Sequence, residues 1–131
     1  MKKSYLELED KIGYTFKNKE LLKNALIHRS FGNEHAKYRK LNNERLEFLG
    51  DAILDAVVAD IIYRNFEGKR EGFMTNTRSK IVSRESLNHV AEQIGLSKLI
   101  KFTIRNSAHN SNLGGNAFEA LIGAIYLDRG Y

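Results

Sequence analysis

Apolar positions along the chain recur at helical spacing almost throughout. Leu6 to Ile12 forms a short first segment. Asn18 suits the N-cap of a helix running through Ile27, with Leu21, Leu22, Ala25 and Leu26 on its apolar face. Phe31 to Leu41 is polar, holds His35, Lys37, Arg39 and Lys40, and reads as a loop. The longest apolar run, Leu46 to Ile62, is broken only by Gly50. It is apolar on nearly all sides and predicts a central, buried helix, capped by Asn42 or Asn43 and ending near Asn65, before Gly68. A helix follows from about Glu71 to Val82. Ser83 can cap the next, which reaches Gly95, a C′ glycine. Leu96 to Ile104 is a short basic-apolar segment, and Arg105 to Gly115, rich in Asn, Ser, Gly and His, reads as a loop. The last helix is expected over Asn116 to Leu127. Neither clean alternation nor a hairpin dipeptide marks a strand. The pattern therefore predicts an all-α fold in one domain, 1–131.

Composition narrows the setting. The chain has 131 residues, enough for a real core, and no proline, which favours long helices. Cysteine is absent too, so disulfides and thiolate metal sites are excluded and a reducing, cytoplasmic setting is compatible. Charges in the opening Met-Lys-Lys-Ser-Tyr-Leu-Glu lie too close together for a secretory segment. No apolar run is long enough to span a bilayer, so no membrane partner is expected. A formal net charge of +5 suits a polyanionic partner.

The chemistry begins with acids inside the apolar run. On a helix, Glu44, Glu47, Asp51 and Asp55 project at about 0°, 300°, 340° and 20°, one acidic stripe. Glu47–Asp51 and Asp51–Asp55 are like-charge i,i+4 pairs, which disfavour an isolated helix. Arg45 points about 100° from Glu44 and cannot neutralise the whole stripe. Either the stripe is an exposed polar face, or it is neutralised by a hard divalent cation such as Mg²⁺, which prefers carboxylate oxygens. A second pair, Asn116 and Glu119, shares a face at i,i+3. It also has two readings: a local capping box, or ligands on a helix whose small Ala117, Ala120, Gly123 and Ala124 allow close packing.

Glu44-Arg45-Leu46-Glu47-Phe48-Leu49-Gly50-Asp51 matches the ribonuclease III signature at every position, and Asn116 to Ala124, followed by Leu127-Asp128, resembles that family's second motif. Tyr14-Thr15-Phe16, His28-Arg29-Ser30-Phe31, Arg78 to Val82 and Glu71-Gly72 fit as well, so the resemblance covers nearly the whole chain. It implies an all-helical, homodimeric endonuclease domain. Such a domain cuts double-stranded RNA to 5′-phosphate and 3′-hydroxyl ends with short 3′ overhangs, in RNA processing. It also implies Mg²⁺, with Mn²⁺ as a substitute, held by Glu47, Asp51, Asn116 and Glu119, with Asp51 and Glu119 catalytic. Glu44 matches a further acid, Glu71 an acid near the RNA cleft, and Phe48 an aromatic that packs across the dimer interface. His28 is expected to be structural, and His35, His89 and His109 to lie on the surface.

The chain departs from the family pattern at two points. Asn116 stands where the family usually has Asp; its amide oxygen can still meet a cation, but the site loses one negative charge and Mg²⁺ affinity should fall. The family also continues into a double-stranded-RNA-binding domain that is not expected within this chain. RNA contacts would then fall to Lys69, Arg70, Arg78, Lys80, Arg84, Lys98, Lys101 and Arg105, with weak, salt-sensitive binding. The alternative is a non-catalytic member of the same fold, an RNA-binding or assembly subunit. Retention of Glu44, Glu47, Asp51 and Glu119 favours the enzyme. An all-α metal phosphohydrolase lacks the His-Asp metal motif it would need.

Overall fold

The computed structural model describes residues 3–32, 41–103 and 112–131. Among these, the helices are α1 (Lys3–Ile12), α2 (Lys19–Ala25), α3 (Arg29–Gly32), α4 (Glu44–Asn65), α5 (Glu71–Ile81), α6 (Arg84–Gln93) and α7 (Leu113–Arg129), with a 3₁₀ turn at Ser97–Leu99. The all-α expectation holds.

Local chemistry sets several helix ends as the sequence implied. Asn18 Oδ1 accepts the Glu20 N–H at 3.0 Å to start α2, and Ser83 Oγ accepts the Ser86 N–H at 3.2 Å to start α6. Gly95, at φ +79°, ends α6: its N–H donates to Glu92 O at 3.1 Å while the Leu96 N–H donates to Ala91 O at 2.9 Å, the paired bonds of a Schellman motif. Helix α2 stops at Ala25, short of the expected Ile27. There the backbone turns extended to pair with a distant segment: Lys101 N–H donates to Leu26 O at 2.7 Å and His28 N–H to Lys101 O at 2.9 Å.

The centre of the molecule is α7. The expectation that the Leu46–Ile62 helix would be the buried core element is corrected. Helix α7 packs against α4, α6 and α2 and buries Leu113, Gly115, Ala117, Ala120, Leu121, Gly123 and Ala124. Helix α4 buries only Leu46, Gly50, Val58 and Ile62 and leaves Phe48 83% exposed, with Ile61 and Tyr63 also open. The physical reason is side-chain size. Alanine and glycine along α7 admit neighbours from several directions, whereas the bulky side chains of α4 meet α7 along one stripe.

Polar side chains fasten this packing. Asn43 is 2% exposed; its Nδ2 donates to Ala25 O at 3.2 Å and its backbone N–H to Ile27 O at 2.8 Å. Its side chain is therefore spent on pinning α4 to the end of α2, and Asn42 Oδ1 accepts the Glu44 N–H instead, at 3.0 Å. At the other end of α7, Asp128 Oδ2 accepts from Tyr14 Oη at 2.5 Å and Lys17 N–H at 2.8 Å, and Oδ1 from Asn18 N–H at 2.9 Å. The Tyr14 hydrogen bond holds the Asp128 carboxyl below the usual carboxylate range.

Among the described residues no helix is long and apolar enough to cross a membrane. Of the two expected loops, Phe31 and Gly32 belong to α3 and Leu113 to Gly115 to α7. His35, Lys37, Arg39, Lys40, Arg105 and His109 lie outside the described residues.

Candidate functional site

The site is built by a backbone crossing. Where α4 meets α7, Gly50 faces the Glu119 carbonyl: a Cβ on Gly50 would lie 1.6 Å from Glu119 O and 2.9 Å from Gly123 N. A Cβ on Gly123 would lie 2.4 Å from Leu46 O. No side chain fits between the two helices here. Glu47 and Asp51 flank Gly50 on one helix, and Glu119 lies one turn before Gly123 on the other, so the crossing brings their carboxylates together.

Asp51 is close enough to Glu119 to act on its carboxyl. Burial pushes the Glu119 carboxyl up to about 8, and the neighbouring acids Asp51, Glu47 and Asp55 push in the same direction. Glu119 therefore keeps its proton near neutrality. Burial also raises Glu47; Glu44 and Asp51 add to that rise, while Arg29 and Arg84 oppose it.

These groups line one open cleft of about 670 Å³. Glu44, Glu47, Asp51, Asn116 and Glu119 all face it, as do Arg29, Arg84 and Asn88. Glu71, at the start of α5, is exposed and outside the lining. Of the described basic residues expected to contact RNA, Arg84 alone lines the cleft. The capping-box reading of Asn116 and Glu119 is overturned. Helix α7 begins at Leu113, three residues early, and the Asn116 N–H donates to Asn112 O at 3.0 Å within the helix. Both side chains are thus available to the cleft. His28 is fixed locally: its Nδ1 accepts the Ser30 N–H at 3.1 Å and pairs with Ser30 Oγ at 2.8 Å. His89 is exposed, as expected.

Among the described residues no three Asp, Glu or His side chains already converge as a closed metal cage. The donor set still fits Mg²⁺, which keeps several waters and binds through one or two carboxylates. Asp51 and Glu119 supply that, with Glu47 and the Asn116 amide on the same cleft. Arg29 and Asn88 had no role from sequence. Arg29 sat in a matched motif without a chemical clue, and Asn88 is one polar residue among others on α6, so tertiary packing alone reveals it.

One consequence is testable without RNA. A cation held by Glu119 must displace the proton on its carboxyl. Apparent Mg²⁺ affinity should therefore rise about tenfold per pH unit up to about pH 8 and level off above it. Calorimetric Mg²⁺ titrations from pH 6 to 9 measure this; an affinity independent of pH would place the cation elsewhere.

Comparison with known proteins identifies the family. A family described as ribonuclease-III-like matches residues 18–131. The Ribonuclease 3 of Phocaeicola vulgatus is 64% identical over 130 residues, covering 99% of this chain and 42% of that protein. That of Bacteroides fragilis is 65% identical over 120 residues, covering 92% of this chain and 41% of that protein. The chain thus spans about two fifths of the length of these curated relatives. The nuclease domain of Ribonuclease III from Campylobacter jejuni superposes with a TM-score of 0.85 at 35% identity, covering 98% of this chain and 86% of that one. A motif-matched acidic cleft, the shared helical fold and these identities lead to one conclusion: the chain belongs to the ribonuclease-III-like family.

Proposed function

We propose that this domain is a divalent-metal-dependent endoribonuclease that hydrolyses phosphodiester bonds in double-stranded RNA, acting as a homodimer in the cytoplasm. The observation that carries the reading is the Gly50–Gly123 crossing, which sets Asp51 against Glu119 in an acid-walled cleft. Asp51 and Glu119, with Glu47 and the Asn116 amide, would hold Mg²⁺, and Mn²⁺ would substitute. When bound, the ion supplies a water of lowered pKa and offsets charge developing on the phosphorus centre. Glu119 would hold the ion in its deprotonated form. Asn116 offers an amide oxygen without charge, so the site attracts cations less strongly than one with a fourth carboxylate. Attack with departure of the 3′ oxygen leaves 5′-phosphate and 3′-hydroxyl ends.

Arg29 and Arg84 are the cations of the cleft lining, and both side chains are exposed. They can meet non-bridging phosphate oxygens while the acids face the reacting centre. Arg84→Ala should lower RNA affinity without changing kcat. It should also reduce the slope of log affinity against log salt by about one, measured as duplex binding across a salt series. An unchanged slope would remove Arg84 from the phosphate contacts.

Dimerisation is supported by large apolar side chains left open on α4, α5 and the turn between them: Phe48, Ile61, Tyr63, Phe66, Phe73 and Ile81 are all exposed. Of the solved Campylobacter jejuni structures of this domain, one concerns structural flexibility in its region involved in dimer formation; it matches at a TM-score of 0.84 and 36% identity, covering 95% of this chain and 85% of that one.

The reading is tested by incubating the protein with a long RNA duplex at low salt, with Mg²⁺ or with chelator. Short duplexes bearing 5′ phosphates and 3′ overhangs, formed only with the metal, are expected. Duplex binding without cutting would instead support an RNA-binding or assembly subunit.

A further inference from the structure

Asn88 ties α6 to the first turn of α7. Its Oδ1 accepts the Gly115 N–H at 2.6 Å. Gly115 is the third residue of α7, and the N–H there is one that a helix's own N-cap side chain ordinarily satisfies. Asn112 holds the N-cap position and makes no such bond. The cap is supplied from a neighbouring helix instead. Glycines make the approach possible: a Cβ on Gly115 would lie 2.9 Å from Asn88 Oδ1 and 3.3 Å from Leu87 Cβ, and one on Gly114 would lie 3.2 Å from Ala91 Cβ. Two glycines disfavour a helical turn relative to alanine, so this turn depends on its partner.

We propose that Asn88 is a positioning residue for the metal site, fixing the α7 half of it through the Gly115 N–H. This rests on the nuclease reading above. Helix α7 is anchored at two places that bracket its functional residues: the Asn88–Gly115 bond on one side and the Gly50–Gly123 contact on the other. Asn116 follows Gly115 directly, Glu119 lies one turn further on, and both share the cleft with Asn88. Loss of the upstream anchor leaves the first turn of α7 free to open, and Asn116 then leaves its place beside the Asp51–Glu119 pair. Asn88 acts through these residues.

The test compares Asn88→Ala with Asn88→Asp, which keeps an oxygen acceptor, well below either variant's Tm. Three quantities are read: amide exchange at Gly115, Mn²⁺ affinity without RNA, and kcat and KM on a long duplex. For Asn88→Ala, exchange at Gly115 should quicken. Mn²⁺ affinity and kcat should each fall about tenfold, as for loss of a group that orients a metal ligand, while KM stays close to wild type. Asn88→Asp should restore protection at Gly115 and most of kcat. Faster exchange with unchanged Mn²⁺ affinity and kcat would reduce the bond to a structural one and overturn the proposal. Unchanged exchange would overturn it at the first step. A wild type that neither binds Mn²⁺ nor cuts RNA would refute the nuclease reading and the positioning role with it, while exchange at Gly115 would still report separately on the clasp.

Discussion

Gly50→Ala is expected to lower the Tm by about 10 °C and to abolish metal binding. Helix propensity alone predicts the opposite sign, since alanine in a helix interior gains about 1 kcal/mol over glycine. Packing decides. The new methyl would sit 1.6 Å from the Glu119 carbonyl oxygen and 2.6 Å from its carbon, and backbone cannot swing aside as a side chain can. The two helices must separate, at the upper end of the about 1–3 kcal/mol that overpacking costs. Glu119 moves with its own carbonyl, so the carboxylate pair is lost with the packing. Gly72→Ala is the matched control: nothing lies within 4 Å of the added Cβ, and stability should hold or rise slightly. Thermal unfolding of both variants, with Mn²⁺ titration, measures the difference. A Gly50→Ala protein with wild-type Tm would contradict the crossing.

Glu119→Gln is expected to lose nuclease activity and, in the absence of metal, to become more stable than the wild type. Burial and three neighbouring acids raise the Glu119 carboxyl to about 8. The folded state therefore binds more protons than the unfolded state between about pH 4.3 and 8. The group's contribution to stability falls as pH rises through that window and is least favourable above it. Glutamine keeps the shape and removes the charge, so the variant should gain about 0.5–2 kcal/mol above pH 8, a range kept modest because the group is half-exposed and screened. Saturating Mg²⁺ should reverse the order, raising the wild-type Tm and leaving the variant unmoved. Activity should fall by more than the about 10–100-fold that loss of an orienting partner costs. A variant destabilised without metal at pH 8.5 would mean that Glu119 is not a strained acid.

Much of this was legible in the sequence, for physical reasons that differ by element. Asn18, Ser83 and Gly95 act within a few residues of themselves, so their helix ends could be read directly. The acids of α4 share a stripe by helical geometry alone, and the signature around them pointed to their use. The central element was misread because apolar content states how much a helix needs to bury and says nothing about its partners. The bulky α4 looked like the core, yet small residues made α7 the helix that others surround. The start of α7 was misread for a related reason. Gly114 and Gly115 disfavour a helix locally, and Asn88, far away in sequence, stabilises one there. That Asn116 and Glu119 face the cleft together depends on this earlier start.

The most direct measurement is cleavage of a long RNA duplex by wild type and Glu119→Gln, each with Mg²⁺ and with chelator, with duplex binding recorded alongside. Cutting by the wild type only, and only with Mg²⁺, while both proteins bind the duplex, is the expected result. Equal cutting by the variant, or cutting by the wild type in chelator, would contradict a metal-dependent nuclease site at the α4–α7 crossing.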